Sequence, residues 1–259
     1  MKKIRRWVVK AGSKMVCDGG PLLMRAWMHQ VSELQKKYHI EVIWVTSGAI
    51  ALAAQKTNFK SLQKTLPQKQ ALSAIGQPLI MDHYNLALQA TKLMGSQVLL
   101  TAGDMHDPSR RRNLQNTLNQ LLNWKIIPIL NENDAVATDE IRFGDNDALA
   151  SQVAVMMKAE RLILLTDVDG LYDSDPKKNS AAKLVKHLKK VRPADLKMAP
   201  KKSKSSEGTG GMYSKLHAAD HAEKNKILTH MVRGDWPNNL LELAQGKSIG
   251  TQIGGKNPC

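Results

Sequence analysis

The chain has 259 residues, 42% hydrophobic and 24% charged, enough to bury a sizeable core and ordinary for a soluble globular protein. A formal net charge of +15 points to anionic partners: nucleotides, phosphates or nucleic acid. No apolar run is long enough to span a bilayer, the basic N-terminus lacks a signal-peptide core, and Cys17 and Cys259 offer neither a disulfide framework nor metal-ligand spacing, so a reducing cytoplasm is expected.

Taken in order, Ile4 to Val9 reads as a strand that runs into Lys10-Ala11-Gly12-Ser13. Backbone N–H groups in such a turn can hold phosphate oxygens, and a lysine at the strand end adds positive charge. Pro21 suits the first turn of a helix, with Leu22, Leu23, Ala26, Trp27, Val31 and Leu34 at helical spacing as its apolar face. Glu41 to Val45 is the next strand, ending in Thr46-Ser47-Gly48, and a helix follows from Ala49 to Gln55. From Gln68 to Leu93 the pattern is helical, with a kink or break expected at Gly76 and Pro78. There Leu72, Ile75, Leu79 and Ile80 suit a core or a subunit interface.

Val98 to Leu100 is a short strand, and Pro108 to Trp124 a helix with Leu114, Leu118, Leu121 and Leu122 along one side. Its Arg110-Arg111-Arg112 run reads as a solvated face. Ile126 to Leu130 then reads as a buried strand feeding NENDAVATDEIRFGDND, residues 131–147. Two acidic clusters, Asn131 to Asp134 and Asp145 to Asp147, would face the crevice past the strand ends. Carboxylates and amides together suit a free amino acid or a metal, or they simply make turns and caps, as Asp145 could before a helix from Ala148 to Ala159.

Arg161 to Leu165 is another strand, ending in Thr166-Asp167-Val168-Asp169-Gly170, too short a spacing for a calcium loop. Residues 177–207 are lysine-rich and poor in pattern, an expected mobile region with one helical turn over Pro193 to Met198. No aromatic residues interleave the lysines, which disfavours single-strand nucleic-acid binding there. Gly208-Thr209-Gly210-Gly211-Met212-Tyr213-Ser214-Lys215 opens a helix running to about Lys224. A glycine-rich loop with a lysine one turn in is a phosphate site, although the Walker A order is absent. Ile227 to Val232 and Ser248 to Ile253 read as strands, separated by a short helix from Pro237 to Ala244.

Strands and helices alternate, which predicts an α/β three-layer αβα sandwich with a mainly parallel central sheet. The suspect loops all sit at the C-terminal ends of strands. Two lysines in glycine-bearing loops suit phosphoryl transfer, where catalysis is mostly positioning and charge neutralisation.

The segments VVKAGS, VTSGAIA, KQALSAIGQ, PILNENDAVAT with GDND, LLTDVDGLYDSDP, GTGGMYSK and SIGT, in that order from about Val8 to Thr251, resemble the amino-acid kinase family, in particular its glutamate 5-kinase branch. The resemblance implies ATP-dependent phosphorylation of the γ-carboxylate of glutamate, the first step of proline biosynthesis, with Mg²⁺ carried by the nucleotide. Lys10 and Lys215 would flank the transferring phosphoryl group, and Asp167 would hold them. Gly12 and Ser13 would lie near the phosphates. Thr166, Asp167, Thr209, Gly210, Gly211, Met212, Tyr213, Ser214 and Lys215 would contact ATP. Ser47, Gly48, Asp134 and Asn146 would bind glutamate.

The resemblance further implies a single kinase domain, with residues about 1–160 on the glutamate side and about 161–259 on the ATP side; since the chain stops at Cys259, the C-terminal PUA domain of many bacterial members is expected to be absent. It implies a homodimer or tetramer, inhibition by proline, and hand-over to a γ-glutamyl phosphate reductase. The chain departs from the pattern at Ala11, Lys14, Ala53, Ser214 and Arg112 to Asn116. These changes leave room for a paralogue that acts on another carboxylate or turns over slowly. A basic nucleic-acid-binding scaffold is the alternative from another class.

Overall fold

The computed structural model describes residues 5–57, 59, 65–137, 146–176, 178–198 and 211–256. Eight strands among them form one sheet: β1 (Arg5–Ala11), β2 (Ile40–Val45), β3 (Gly95–Leu100), β4 (Ile127–Glu132), β5 (Arg161–Thr166), β6 (His187–Leu188), β7 (Leu228–Arg233) and β8 (Thr251–Ile253). Their order across the sheet is β3-β4-β2-β1-β5-β7-β8-β6. All neighbours run parallel except β7 and β8.

Alternation along the strands sorts the core into two layers. Trp7, Val9 and Ala11 of β1, Val42 and Trp44 of β2, and Ile163 and Leu165 of β5 pack on one face. There they meet α1 (Ser13–Tyr38), α3 (Leu66–Gln89) and α9 (Asn239–Ala244). Val8, Ile43, Val45, Leu162 and Leu164 pack on the other face, against α5 (Pro108–Asn123), α6 (Asn146–Met156) and α8 (Met212–Lys224). Strands buried on both faces explain the near-continuous apolar runs in the sequence. Between β2 and α3 lies α2 (Ala49–Lys56), between β3 and α5 lies α4 (Ala102–His106), and α7 spans Pro193–Met198. No helix among the described residues is long and apolar enough to cross a membrane.

Several expectations are met. Pro21 follows a break inside α1 at Gly20, whose φ of 56° lies in the left-handed region that glycine tolerates. The four leucines of α5 are buried and its three arginines exposed. Pro193 to Met198 is a helical turn.

Others need correction. The buried face of α1 is Met24, Trp27, Met28, Val31 and Leu34, while Leu22 and Ala26 face solvent. At about 3.6 residues per turn Leu22 and Ala26 point away from the side that carries Trp27, Val31 and Leu34, so they do not belong to one face with them. Of the kink or break expected in α3, the break is absent: the helix is continuous through Gly76 and Pro78. Burial of Leu72, Ile80, Tyr84 and Leu88 along it outweighs the hydrogen bond Pro78 removes, a cost of about 3 kcal/mol. Gly76 serves packing instead, because a Cβ there would stand 1.9 Å from the Ala49 carbonyl oxygen at the start of α2.

The patternless reading of the lysine-rich stretch also fails within residues 178–198. Val185 and Leu188 pack against the core, Val191 is buried, and β6 pairs with β8. Three isolated apolar side chains suffice to seat a short edge strand, too few to make a period. The rest of that stretch, and the proposed cap Asp145, lie outside the described residues.

Candidate active site

The sheet order reverses direction at β1, which has β2 on one side and β5 on the other. Ligand crevices in such sheets open past the strand ends at that point. Lys10 lies level with Val45 of β2 and Leu164 of β5, one residue before β1 ends. Alternation places it on the Val8 face, toward α6 and α8, and it is only 3% exposed. A buried lysine needs a partner, and it finds Asp147 in the first turn of α6, Nζ to Oδ1 at 2.5 Å.

Lys215, one turn into α8, reaches the other oxygen of the same carboxylate, Nζ to Oδ2 at 3.2 Å. Ser214 donates its hydroxyl to Oδ2 at 2.9 Å and lies 2.8 Å from the Gly211 carbonyl at the α8 N-cap. Asp147 is wholly buried. Burial alone would raise its pKa, but the charges of Lys10 and Lys215 and the hydrogen bonds from Lys10 and Ser214 hold it well below the ordinary carboxylate range. Two ammonium groups around one carboxylate leave a net positive charge in the crevice floor.

The residue before Asp147 faces a different group. Asn146 Nδ2 lies 2.6 Å from the Thr46 carbonyl, 2.8 Å from Ser47 Oγ and 2.7 Å from Asn131 Oδ1. Asn131 donates to Gln77 Oε1 at 3.2 Å, and the Gln77 amide donates to the Glu132 carbonyl at 3.2 Å. The Thr46 N–H donates to the Leu130 carbonyl, which joins the loops after β2 and β4. The start of α6 thus splits between the lysines on one side and a ring of hydroxyls and amides on the other. Asp134 sits in the turn after β4, half-buried, and Gly48 caps α2 beside Ser47.

Across the switch point, α1 starts directly after β1, with Gly12 at its N-cap beside Lys10 Nζ. Thr166 ends β5, buried, and its carbonyl accepts from the Gly234 N–H. Asp167 accepts from Lys14 Nζ at 2.9 Å. Asp169 accepts from the Tyr172 hydroxyl at 2.7 Å and lies 3.7 Å from Arg233. Met212 is half-buried against the core, and the Tyr213 ring rests edge-on against His217.

Lys10, Gly12, Ser13, Thr166, Asp167, Ser47, Gly48, Asp134 and Asn146 therefore lie at the C-terminal ends of strands or the helix starts that follow them, whereas Gly211 to Lys215 open α8, which follows α7 rather than a strand. Thr209 and Gly210 lie outside the described residues. Sequence reasoning put Asp167 between the two lysines; the structure places Asp147 on both of them, and Asp167 accepts from Lys14. Asp147 stood in the acidic cluster already singled out, but spacing along the chain does not say which carboxylate of a cluster turns inward. Asn131 and Gln77 were missed as members of the amide ring for the same reason.

The chain matches the Amino acid kinase family over residues 5–233. It is 41% identical to the glutamate 5-kinase of Teredinibacter turnerae over 253 residues, 96% of this chain and 67% of that protein. It is 40% identical to that of Shewanella oneidensis, covering 96% of this chain and 68% of that protein. Among solved structures, an isopentenyl phosphate kinase superposes with a TM-score of 0.63 at 15% identity, over 96% of this chain and all of the other. The UMP kinase from Ureaplasma parvum gives 0.62 at 15% identity, over 98% of this chain and all of the other. At that identity the likeness speaks for the fold. The αβα architecture, the crevice at the switch point and these relatives together place the chain in the amino acid kinase family, on its glutamate 5-kinase branch.

Proposed function

We propose that the protein transfers the terminal phosphoryl group of ATP to the γ-carboxylate of L-glutamate. The observation that carries this reading is the division of labour between Asn146 and Asp147, which holds an amide-and-hydroxyl pocket directly beside a paired-lysine floor. The glutamate side is formed by Ser47, Gly48, Asp134 and Asn146, with Asn131 behind them. The nucleotide side is formed by Gly12, Ser13, Thr166, Asp167 and the start of α8. Residues up to about 160 thus serve mainly the acceptor and later ones mainly the nucleotide, with Lys10, Gly12 and Ser13 the exceptions.

A γ-carboxylate has a reference pKa of about 4.3, so it is already an anion at neutral pH and needs no general base. A carboxylate oxygen attacks the terminal phosphorus, the bond from phosphorus to the bridging oxygen breaks, and an acyl phosphate and ADP result. The obstacle is bringing an anion to a polyanion. Lys10 and Lys215 offset that repulsion in a site where water is largely excluded. Asp147 fixes both ammonium groups in place, and Asp134 would pair with the substrate's α-ammonium. The donor set around Asp147 suits phosphate oxygens rather than a bare cation, so Mg²⁺ would enter on the nucleotide's phosphates and supply charge neutralisation there.

The test is a hydroxamate assay with glutamate and Mg-ATP. Turnover should exceed that of a Lys10→Ala control by orders of magnitude. Turnover equal to that control, or faster turnover of another carboxylate in a substrate panel, would overturn the assignment.

A further inference from the structure

The structure gives Lys14 a specific place. It is the second residue of α1, which begins directly after the turn carrying Lys10. The first turn of α1 holds no acidic residue. A lysine there is opposed by the positive end of the helix dipole, so the position concentrates positive charge rather than balancing it. The side chain is 56% exposed and reaches across the crevice to Asp167, in the loop after β5, at 2.9 Å. Asp18, one turn further along α1, adds to the field that keeps the ammonium charged.

The bridge therefore joins the two loops that flank the nucleotide side. It lies at the exposed mouth, whereas the Lys10–Asp147–Lys215 group lies at the buried floor. An exposed ion pair is worth little by itself. A dianionic or trianionic phosphate chain entering between the loop after β1 and the loop after β5 meets Lys14 before it meets the floor. Exchanging a half-exposed carboxylate for a more highly charged phosphate costs the lysine nothing in charge pairing and adds the dipole of α1 to the contact.

We propose that Lys14 is a third nucleotide-binding cation of this site, held over the crevice by Asp167 in the empty enzyme and transferred to a phosphate oxygen when the nucleotide binds. The inference rests on the reading of the site as an ATP site, but does not require glutamate to be the acceptor.

The experiment is calorimetric titration of the full chain with Mg-ATP, Mg-ADP and adenosine, for the native protein, Lys14→Met and Lys14→Arg. Lys14→Met should weaken ATP and ADP binding about tenfold and leave adenosine unchanged, and Lys14→Arg should restore most of the loss. Equal weakening for adenosine would mark a structural strap between the two loops and overturn the proposal. So would unchanged or tighter ATP binding by Lys14→Met. A native protein that binds neither ATP nor ADP would overturn the ATP-site reading as well, which separates the two failures. The Lys14 side chain is exposed, so its variants should keep the native melting temperature; a fall in Lys14→Met alone would also favour the strap and count against the proposal.

Discussion

Lys10 and Lys215 come from opposite ends of the chain and meet on the two oxygens of one buried carboxylate, that of Asp147. Neither lysine could be buried in that position without it, because a desolvated ammonium group is costly unless paired. The strand that carries Lys10, the helix that carries Asp147 and the helix that carries Lys215 are thereby fixed relative to one another. The site is assembled by the same contacts that stabilise the layer.

The first expectation follows from that geometry. Asp147→Asn leaves two ammonium groups around a neutral amide and should lower stability by about 3 kcal/mol, as breaking a buried ion pair does. It should also reduce kcat by about 100-fold or more. Asp167→Asn should change kcat far less and act mainly on the KM for ATP. Steady-state kinetics and urea melts on the pair decide between the two carboxylates.

Lys215→Ala should lose mainly kcat, by about 10²–10³, with a smaller change in the KM for glutamate. Lys10→Ala should behave alike. Full initial-rate matrices in ATP and glutamate check this, and a kcat unaffected by Lys215→Ala would remove that lysine from the reacting centre.

On the other side of α6, Asn146→Ala takes away the donor shared by Thr46, Ser47 and Asn131. The KM for glutamate should rise about tenfold, equivalent to ~1.4 kcal/mol, with the KM for ATP little changed. Asp134→Ala should raise the same KM if its carboxylate receives the α-ammonium. A dicarboxylate lacking the amine should then be discriminated less well by the variant than by the native enzyme.

The stability of the protein should fall in acid partly through Asp147. Its folded pKa is depressed, burial being outweighed by the two lysines, so its contribution is present above the unfolded value of about 3.9. That contribution is lost as pH falls below this value toward the folded one. The urea midpoint of the native protein should therefore drop more steeply between about pH 5 and pH 2 than that of Asp147→Asn. Equal slopes would mean that the folded pKa of Asp147 is not depressed.

Gly76→Ala tests the packing that seats the substrate loop. The new Cβ would fall 1.9 Å from the Ala49 carbonyl, a backbone atom that can yield only if α2 shifts. Stability should drop by about 1–3 kcal/mol. The KM for glutamate should rise, because Ser47 and Gly48 sit immediately before α2. A variant with native melting temperature and native kinetics would show that α2 is freer to move than its contact with α3 implies.

Much of this architecture was legible before any coordinates. The strands ending in Lys10, Thr46-Ser47, Asn131 and Thr166 are apolar runs bounded by small or polar residues, and both faces of the sheet are covered, so those runs stay apolar throughout. The leucine stripe of α5 and the glycines before α8 are likewise local signals. Each depends on neighbours within a few positions, which is the range over which sequence periodicity holds.

The structure alone decided which carboxylate holds the lysines. Asp134, Asp145, Asp147 and Asp167 are chemically equal in the sequence, and each follows a strand or opens a helix. What distinguishes Asp147 is that α6 lies against β1 and α8, so its first turn meets a lysine from each of them. The continuity of α3 past Pro78 and the turning of α1 at Gly20 were settled in the same way. The energy of burying a long helix face outweighs a single local penalty, and that energy exists only once the layers are in contact.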